Sequence, residues 1–116
     1  MRYALLICVD EAEYAAMTPD EAEANSAAYF AFQEEVGSAL LGGERLHPVA
    51  DATTVRVRDG EVLLTDGPYV ETKDLIAGFD VLECADLDEA VEVAARHPMA
   101  WYGVIELRPF WSGEDA

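Results

Sequence analysis

Two alternating runs meet across an Asp-Gly pair: Thr54-Val55-Arg56-Val57-Arg58, then Asp59-Gly60, then Glu61-Val62-Leu63-Leu64-Thr65. Period-two alternation places successive side chains on opposite faces of a strand, and Asp-Gly readily takes the positive φ angles of a tight hairpin turn. No other short pattern restricts a chain so strongly, because it specifies two strands, their antiparallel sense and their connection together. The rest of the chain must be built around this hairpin.

On its N-terminal side, Tyr3-Ala4-Leu5-Leu6-Ile7-Cys8-Val9 is a continuous apolar run closed by Asp10 and Glu11, as expected of a strand covered on both faces. Thr18-Pro19-Asp20-Glu21 then announces a helix: Thr18 is a cap, Pro19 suits the first turn and Glu21 completes a capping box. Tyr29, Phe32, Val36 and Leu40 recur at helical spacing, and Gly42-Gly43 is the expected stop, with a short strand over Glu44 to Pro48. Beyond the hairpin, Leu75 to Cys84 is apolar except at Gly78 and Asp80 and reads as a strand from Ala77. Asp86-Leu87-Asp88-Glu89 repeats the capping logic for a second helix, which Arg96, His97 and Pro98 end. A last strand is expected over Trp101 to Leu107.

The order is therefore β-α-β-(hairpin)-β-α-β. With the hairpin as an insertion, it is an α+β, ferredoxin-like βαββαβ arrangement, an antiparallel sheet with both helices on one face. At 116 residues the chain suits one domain spanning 1–116, long enough for a core without staples. The helix-free face of such a sheet needs a cover, so a homodimer is expected, with Trp101, Tyr102, Phe110 and Trp111 as candidate interface residues or core.

A net charge of -17 narrows the choice of partners. Nucleic acid and anionic membranes both require a cationic surface, so neither is expected. At 52% hydrophobic residues the chain is not a disordered acidic tail, and no apolar run approaches the ~18–20 residues of a membrane span. Cys8 and Cys84 lie in strand-like runs, and the apolar stretch after Arg2 stops at Asp10, so reduced thiols and a cytoplasmic location are expected.

Gly42-Gly43-Glu44-Arg45-Leu46, Thr53-Thr54-Val55-Arg56 and Thr65-Asp66-Gly67-Pro68-Tyr69-Val70-Glu71-Thr72-Lys73 together resemble the DGPF-type group of the YCII-related family. Tyr69 stands where that group's own tetrapeptide ends in Phe. Tyr3 to Ile7, Gly78-Phe79 and Leu87-Asp88-Glu89-Ala90 extend the likeness in order along nearly the whole chain. The resemblance implies a dimeric α+β barrel of ferredoxin-like protomers. It implies less about activity, since most DGPF-type members have no assigned reaction and some of their genes lie beside extracytoplasmic-function sigma factors. More distant YCII relatives are described with a His–Asp pair in a cleft, one of them linked to dehydrochlorination of a hydroxylated aromatic; that pair has no motif-by-motif match in this sequence.

The residues themselves offer a candidate site around the tetrapeptide. Between Tyr3 and Glu44 there is no Lys or Arg, whereas Arg45, Arg56, Arg58 and Lys73, four of the seven cations, fall in the central stretch with His47 and Asp66. Such a cluster can focus a small anionic or phenolate ligand, or simply pair with neighbouring carboxylates. Asp66 and His47 are the candidate acid/base residues, and Arg45, Arg56, Tyr69, Glu71 and Lys73 the candidate substrate-binding ones. Asp66 also fits a turn-capping role, His47 a solvent-exposed strand end, and His97 a helix terminus explained by the dipole alone. No metal spacing, phosphate-binding glycine loop or nucleophile elbow occurs, so neither a metal nor a cofactor is expected. Two functions remain: a cofactor-free enzyme acting on a small polar or aromatic molecule, or a non-enzymatic dimer that binds a ligand or partner in a stress or sigma-factor-linked setting.

Overall fold

Residues 1–69 and 74–112 are described by a computed structural model. Six strands and four helices follow one another as β1 (Arg2–Val9), α1 (Glu11–Ala15), α2 (Pro19–Val36), β2 (Leu40–Arg45), β3 (Thr53–Arg58), β4 (Glu61–Asp66), β5 (Leu75–Glu83), α3 (Leu87–Ala95), α4 (Met99–Tyr102) and β6 (Val104–Pro109). The main sheet has the order β2-β5-β1-β6 with every neighbour antiparallel, and β3-β4 forms a separate two-stranded sheet. The fold is thus α+β, with the hairpin standing outside the main sheet as the alternating runs imply.

Register decides which residues face inwards. Tyr3 pairs with Leu82 and Leu5 with Asp80, while Leu5 and Ile7 meet Leu107 and Ile105 on the other side. That face carries the core: Tyr3, Leu5 and Leu82 pack under Phe32 of α2 and under Ala90, Val93 and Ala94 of α3. Both long helices therefore lie on one side of the sheet. Burying a Leu or Phe fully contributes about 1.5–3 kcal/mol, so this cluster holds the domain together. Cys84 belongs to the same cluster. Both cysteines are free, and burial pushes both thiols up, as suits packing residues.

Both helices are capped where the sequence implies, α2 by a full capping box and α3 by its Asp86 cap. Thr18 accepts from the Glu21 N–H while the Glu21 side chain accepts from the Thr18 N–H, and Asp86 caps α3 by accepting from the Glu89 N–H. Asp59 and Gly60 both take positive φ, 53° and 77°, the signature of a type I′ turn.

Several boundaries differ from expectation, and the strand expected over Glu44 to Pro48 spans Leu40–Arg45. The long helix stops at Val36, because Gly37 takes φ 53° as its cap, and the chain then enters β2 at Leu40 instead of continuing to the glycine pair. Trp101 and Tyr102 belong to the single turn α4, so the last strand begins at Val104. The strand expected from Ala77 begins at Leu75. Among the described residues no helix is long and apolar enough to cross a membrane.

Candidate functional site

Gly43 lies in β2 opposite Asp80 of β5. There is no room for a side chain at this crossing, because a Cβ on Gly43 would overlap the Asp80 carboxylate and the Phe79 carbonyl. The strand that brings Leu82 into the core brings Asp80 to the same face, two residues earlier, and the missing Cβ lets β2 close over it. An acidic side chain is thereby held in the interior at 2% exposure.

Its neighbours come from three different elements. Tyr29 of α2 donates its hydroxyl to Asp80 Oδ1 at 3.1 Å. Its hydroxyl is pushed up to about 12, chiefly by burial and then by the neighbouring Asp80 carboxylate, so it stays a donor at neutral pH. His97, just past the end of α3, is 1% exposed, and its Nε2 faces Asp80 Oδ2 at 3.5 Å. This distance suits an ion pair but is long for a direct hydrogen bond, and neither atom finds another hydrogen-bond partner among the described residues. The ring is wedged between Tyr29 and Phe32, with centroid distances of 5.2 and 4.9 Å. Its other nitrogen, Nδ1, accepts from the Met99 backbone N–H at 3.0 Å at the start of α4.

Asp80, His97 and Tyr29 lie on the wall of a cavity of about 530 Å³ between α1, α2 and the β2-β5 side of the sheet. Ile7, Val9, Phe30, Leu46, Phe79 and Met99 supply much of its apolar lining. Its polar groups converge from two helices, Asn25, Ser26 and Gln33 on α2 and Glu11 and Tyr14 on α1. Asn25 Oδ1 is buried without a hydrogen-bond partner among the described residues, which leaves an acceptor on that wall. Arg45 is the one cation among the described lining residues, and its guanidinium lies over the Tyr14 ring at 5.6 Å. A concave, mostly apolar site with a few convergent polar groups is the usual form of a small-molecule site.

Of the candidate site residues that fall among the described residues, only Arg45 lines this cavity. His47 is 86% exposed and turns its Nδ1 to Asp51 Oδ2 at 3.1 Å, so Asp51 and not Asp66 is its carboxylate partner. Asp66 is exposed at the end of β4, opposite Thr53. The loop that follows is anchored by its backbone, with Gly67 N–H donating to the Ala52 carbonyl and Thr54 Oγ1 donating to the Gly67 carbonyl at 2.8 Å. Arg56 is exposed on β3 opposite Leu63, and Tyr69 is exposed. Glu71 and Lys73 lie outside the described residues.

Asp80 and His97 are what the sequence reading missed. The dipole explanation of His97 needs an exposed imidazolium, whereas the ring is enclosed and hydrogen-bonded to backbone. A signal for Asp80 was present in strand parity: it shares a face with Leu82, so an acid inside an apolar run was already placed inwards.

The fold and this pocket define an α+β protein of the YCII-related class: the family model for the YCII-related domain matches residues 1–112. The chain belongs to that family. It is 38% identical over 96 residues to an uncharacterized protein of Rhizobium meliloti (strain 1021), covering 81% of this chain and 77% of that one. Among solved structures it resembles the 5-chloro-2-hydroxyhydroquinone dehydrochlorinase TftG from Burkholderia phenoliruptrix AC1100, in complex with 2,5-dihydroxybenzoquinone. That likeness has a TM-score of 0.56 at 14% identity and covers 98% of this chain and 97% of the other, a likeness of fold.

Proposed function

We propose that the cavity bearing Asp80 and His97 is the acid/base site of a cofactor-free enzyme acting on a small polar or aromatic molecule. One observation carries this reading: a carboxylate and an imidazole, both almost fully buried, face each other on the wall of a cavity of about 530 Å³. Buried ionisable groups are costly to maintain in a core, and their position on a ligand-sized cavity supports a chemical use. The apolar walls suit a ring, while Tyr29, Asn25 and Gln33 provide hydrogen-bonding groups for its substituents. Arg45, stacked on Tyr14, is the cation that would hold an anionic oxygen. A hydroxylated ring is the first ligand class to try, since the dehydrochlorinase of the same fold is complexed with 2,5-dihydroxybenzoquinone.

The test is a melting-temperature screen of the wild-type chain against hydroxylated aromatics, beginning with that quinone. A ligand at one hundred times its Kd stabilises the folded state by about 2.7 kcal/mol, a readily measured shift. No shift across neutral and anionic hydroxylated rings would overturn the assignment of ligand class.

A second reading is favoured by the β3-β4 arm. Val55, Val57, Val62 and Leu64 pair across it on one face and are all more than half exposed. An isolated two-stranded hairpin is marginal in water, so a binding role, with a second copy of the chain as cover, would suit this stripe. Sedimentation at micromolar concentration tests it, with a dimer expected and a monomer contradicting it.

A further inference from the structure

Arg45 is a cation without a carboxylate in a chain that has 24 Asp and Glu against seven Lys and Arg. Arg96 pairs with Glu35 and Arg108 with Glu106, but among the described residues no carboxylate lies within ion-pair distance of Arg45. Glu11 and Glu44 also line the cavity, yet neither pairs with it. Glu11 turns its Oε2 to the Val49 backbone N–H at 3.0 Å. Glu44 is next to Arg45 in β2, where alternation sends neighbouring side chains to opposite faces.

The same alternation directs Arg45 to the cavity. Gly43 lies opposite the enclosed Asp80, and Arg45, two residues on, shares its face and lies opposite Gly78. Gly78 has no side chain to crowd that position, and a Cβ there would come within 2.9 Å of the Glu44 carbonyl. The Arg45 guanidinium instead meets the half-buried Tyr14 ring of α1, 5.6 Å from its centroid. A ring face eases the charge but leaves free the N–H donors that lie in the guanidinium plane, and no described residue accepts from them. That planar fork of donors matches a carboxylate, which accepts two of them at once.

Elsewhere the wall is unsuited to an anion. Asp80 and Glu11 oppose negative charge, and the side chains of Ile7, Val9, Phe79 and Met99 offer it no donor. One carboxylate at the exposed rim with an apolar ring inside satisfies both conditions. Resting on the reading of this cavity as the substrate site, we propose that Arg45 selects a hydroxylated ring bearing one carboxylate, with Tyr14 as the positioning residue that holds the guanidinium at the rim.

Calorimetric titration with 4-hydroxybenzoate and its neutral isostere 4-hydroxybenzamide tests this on the wild-type chain, Arg45→Gln, Tyr14→Leu and Tyr14→Phe. The wild-type chain should prefer the benzoate. In Arg45→Gln the benzoate Kd should rise at least about tenfold, while the amide Kd stays within about twofold of wild type. Tyr14→Leu should reduce the preference and Tyr14→Phe should keep it, because only the ring face is required; a merely structural role would move both ligands alike. Equal or tighter binding of the amide by the wild-type chain, a preference that survives Arg45→Gln, or failure of both probes would overturn the proposal. Binding of 2,5-dihydroxybenzoquinone in any of those cases would leave the acid/base reading of the cavity standing, whereas its failure too would fall on that reading.

Discussion

The β3-β4 arm and the β5-β1 core of the main sheet are both antiparallel pairs rich in Val and Leu, yet they hold their side chains in opposite circumstances. Leu5 and Leu82 are fully buried under two helices, whereas Val55, Val57, Val62 and Leu64 lie in the open on the arm. The difference lies in what covers each sheet, because alternation alone only sorts side chains between two faces. It extends to the polar residues. Asp80 at the centre of β5 is enclosed and served by Tyr29 and His97, while Asp66 at the end of β4 faces solvent. Tetrapeptide and hairpin are conspicuous in sequence because turns need particular residues. The enclosed pair is inconspicuous because it needs only parity and a missing Cβ.

This contrast can be broken or sharpened by identical substitutions at the two places. Leu82→Ala should destabilise the domain by about 2–5 kcal/mol, read as a lower urea midpoint at unchanged slope. Asp80→Ala should cost about 1–3 kcal/mol, because the part-buried Tyr29 hydroxyl would lose its acceptor. A smaller loss would mean that water already serves this donor.

Tyr29→Phe probes the same cluster through pH. The Tyr29 hydroxyl is raised from 10.0 to about 12, so its contribution is complete below pH 10 and is lost as pH rises through 12. The wild-type chain should therefore lose stability across that alkaline window, and Tyr29→Phe should remove this part of the dependence. Smallest of all, Leu64→Ala on the arm should change monomer stability by no more than about 0.5 kcal/mol. An effect comparable to Leu82→Ala would show that the arm is covered in solution.

Much of the fold was legible. The Thr18–Glu21 capping box, the Asp86 cap and the Asp-Gly turn followed from residues whose local chemistry leaves few choices. Boundaries set by tertiary contact were less legible. The Gly42-Gly43 pair looks like a helix stop, yet Gly43 serves the crossing with Asp80, and Gly37 ends the helix. Trp101 and Tyr102 continue the apolar pattern of β6 but turn as α4, whose first backbone N–H is tied to His97. The site was the least legible part. Arg45, which lines the cavity, was singled out because cations are rare in this chain. His97 was set aside because a helix terminus explains a histidine equally well until its burial is known.

The central claim is that chemistry belongs to the enclosed Asp80 and not to the exposed tetrapeptide loop. It is tested most directly by the melting shift produced by 2,5-dihydroxybenzoquinone in Asp80→Asn and Asp66→Ala, each compared with the wild-type chain. Loss of the shift in Asp80→Asn with a wild-type shift in Asp66→Ala is the predicted result. A shift retained in Asp80→Asn and lost in Asp66→Ala would contradict it and move the site to the loop.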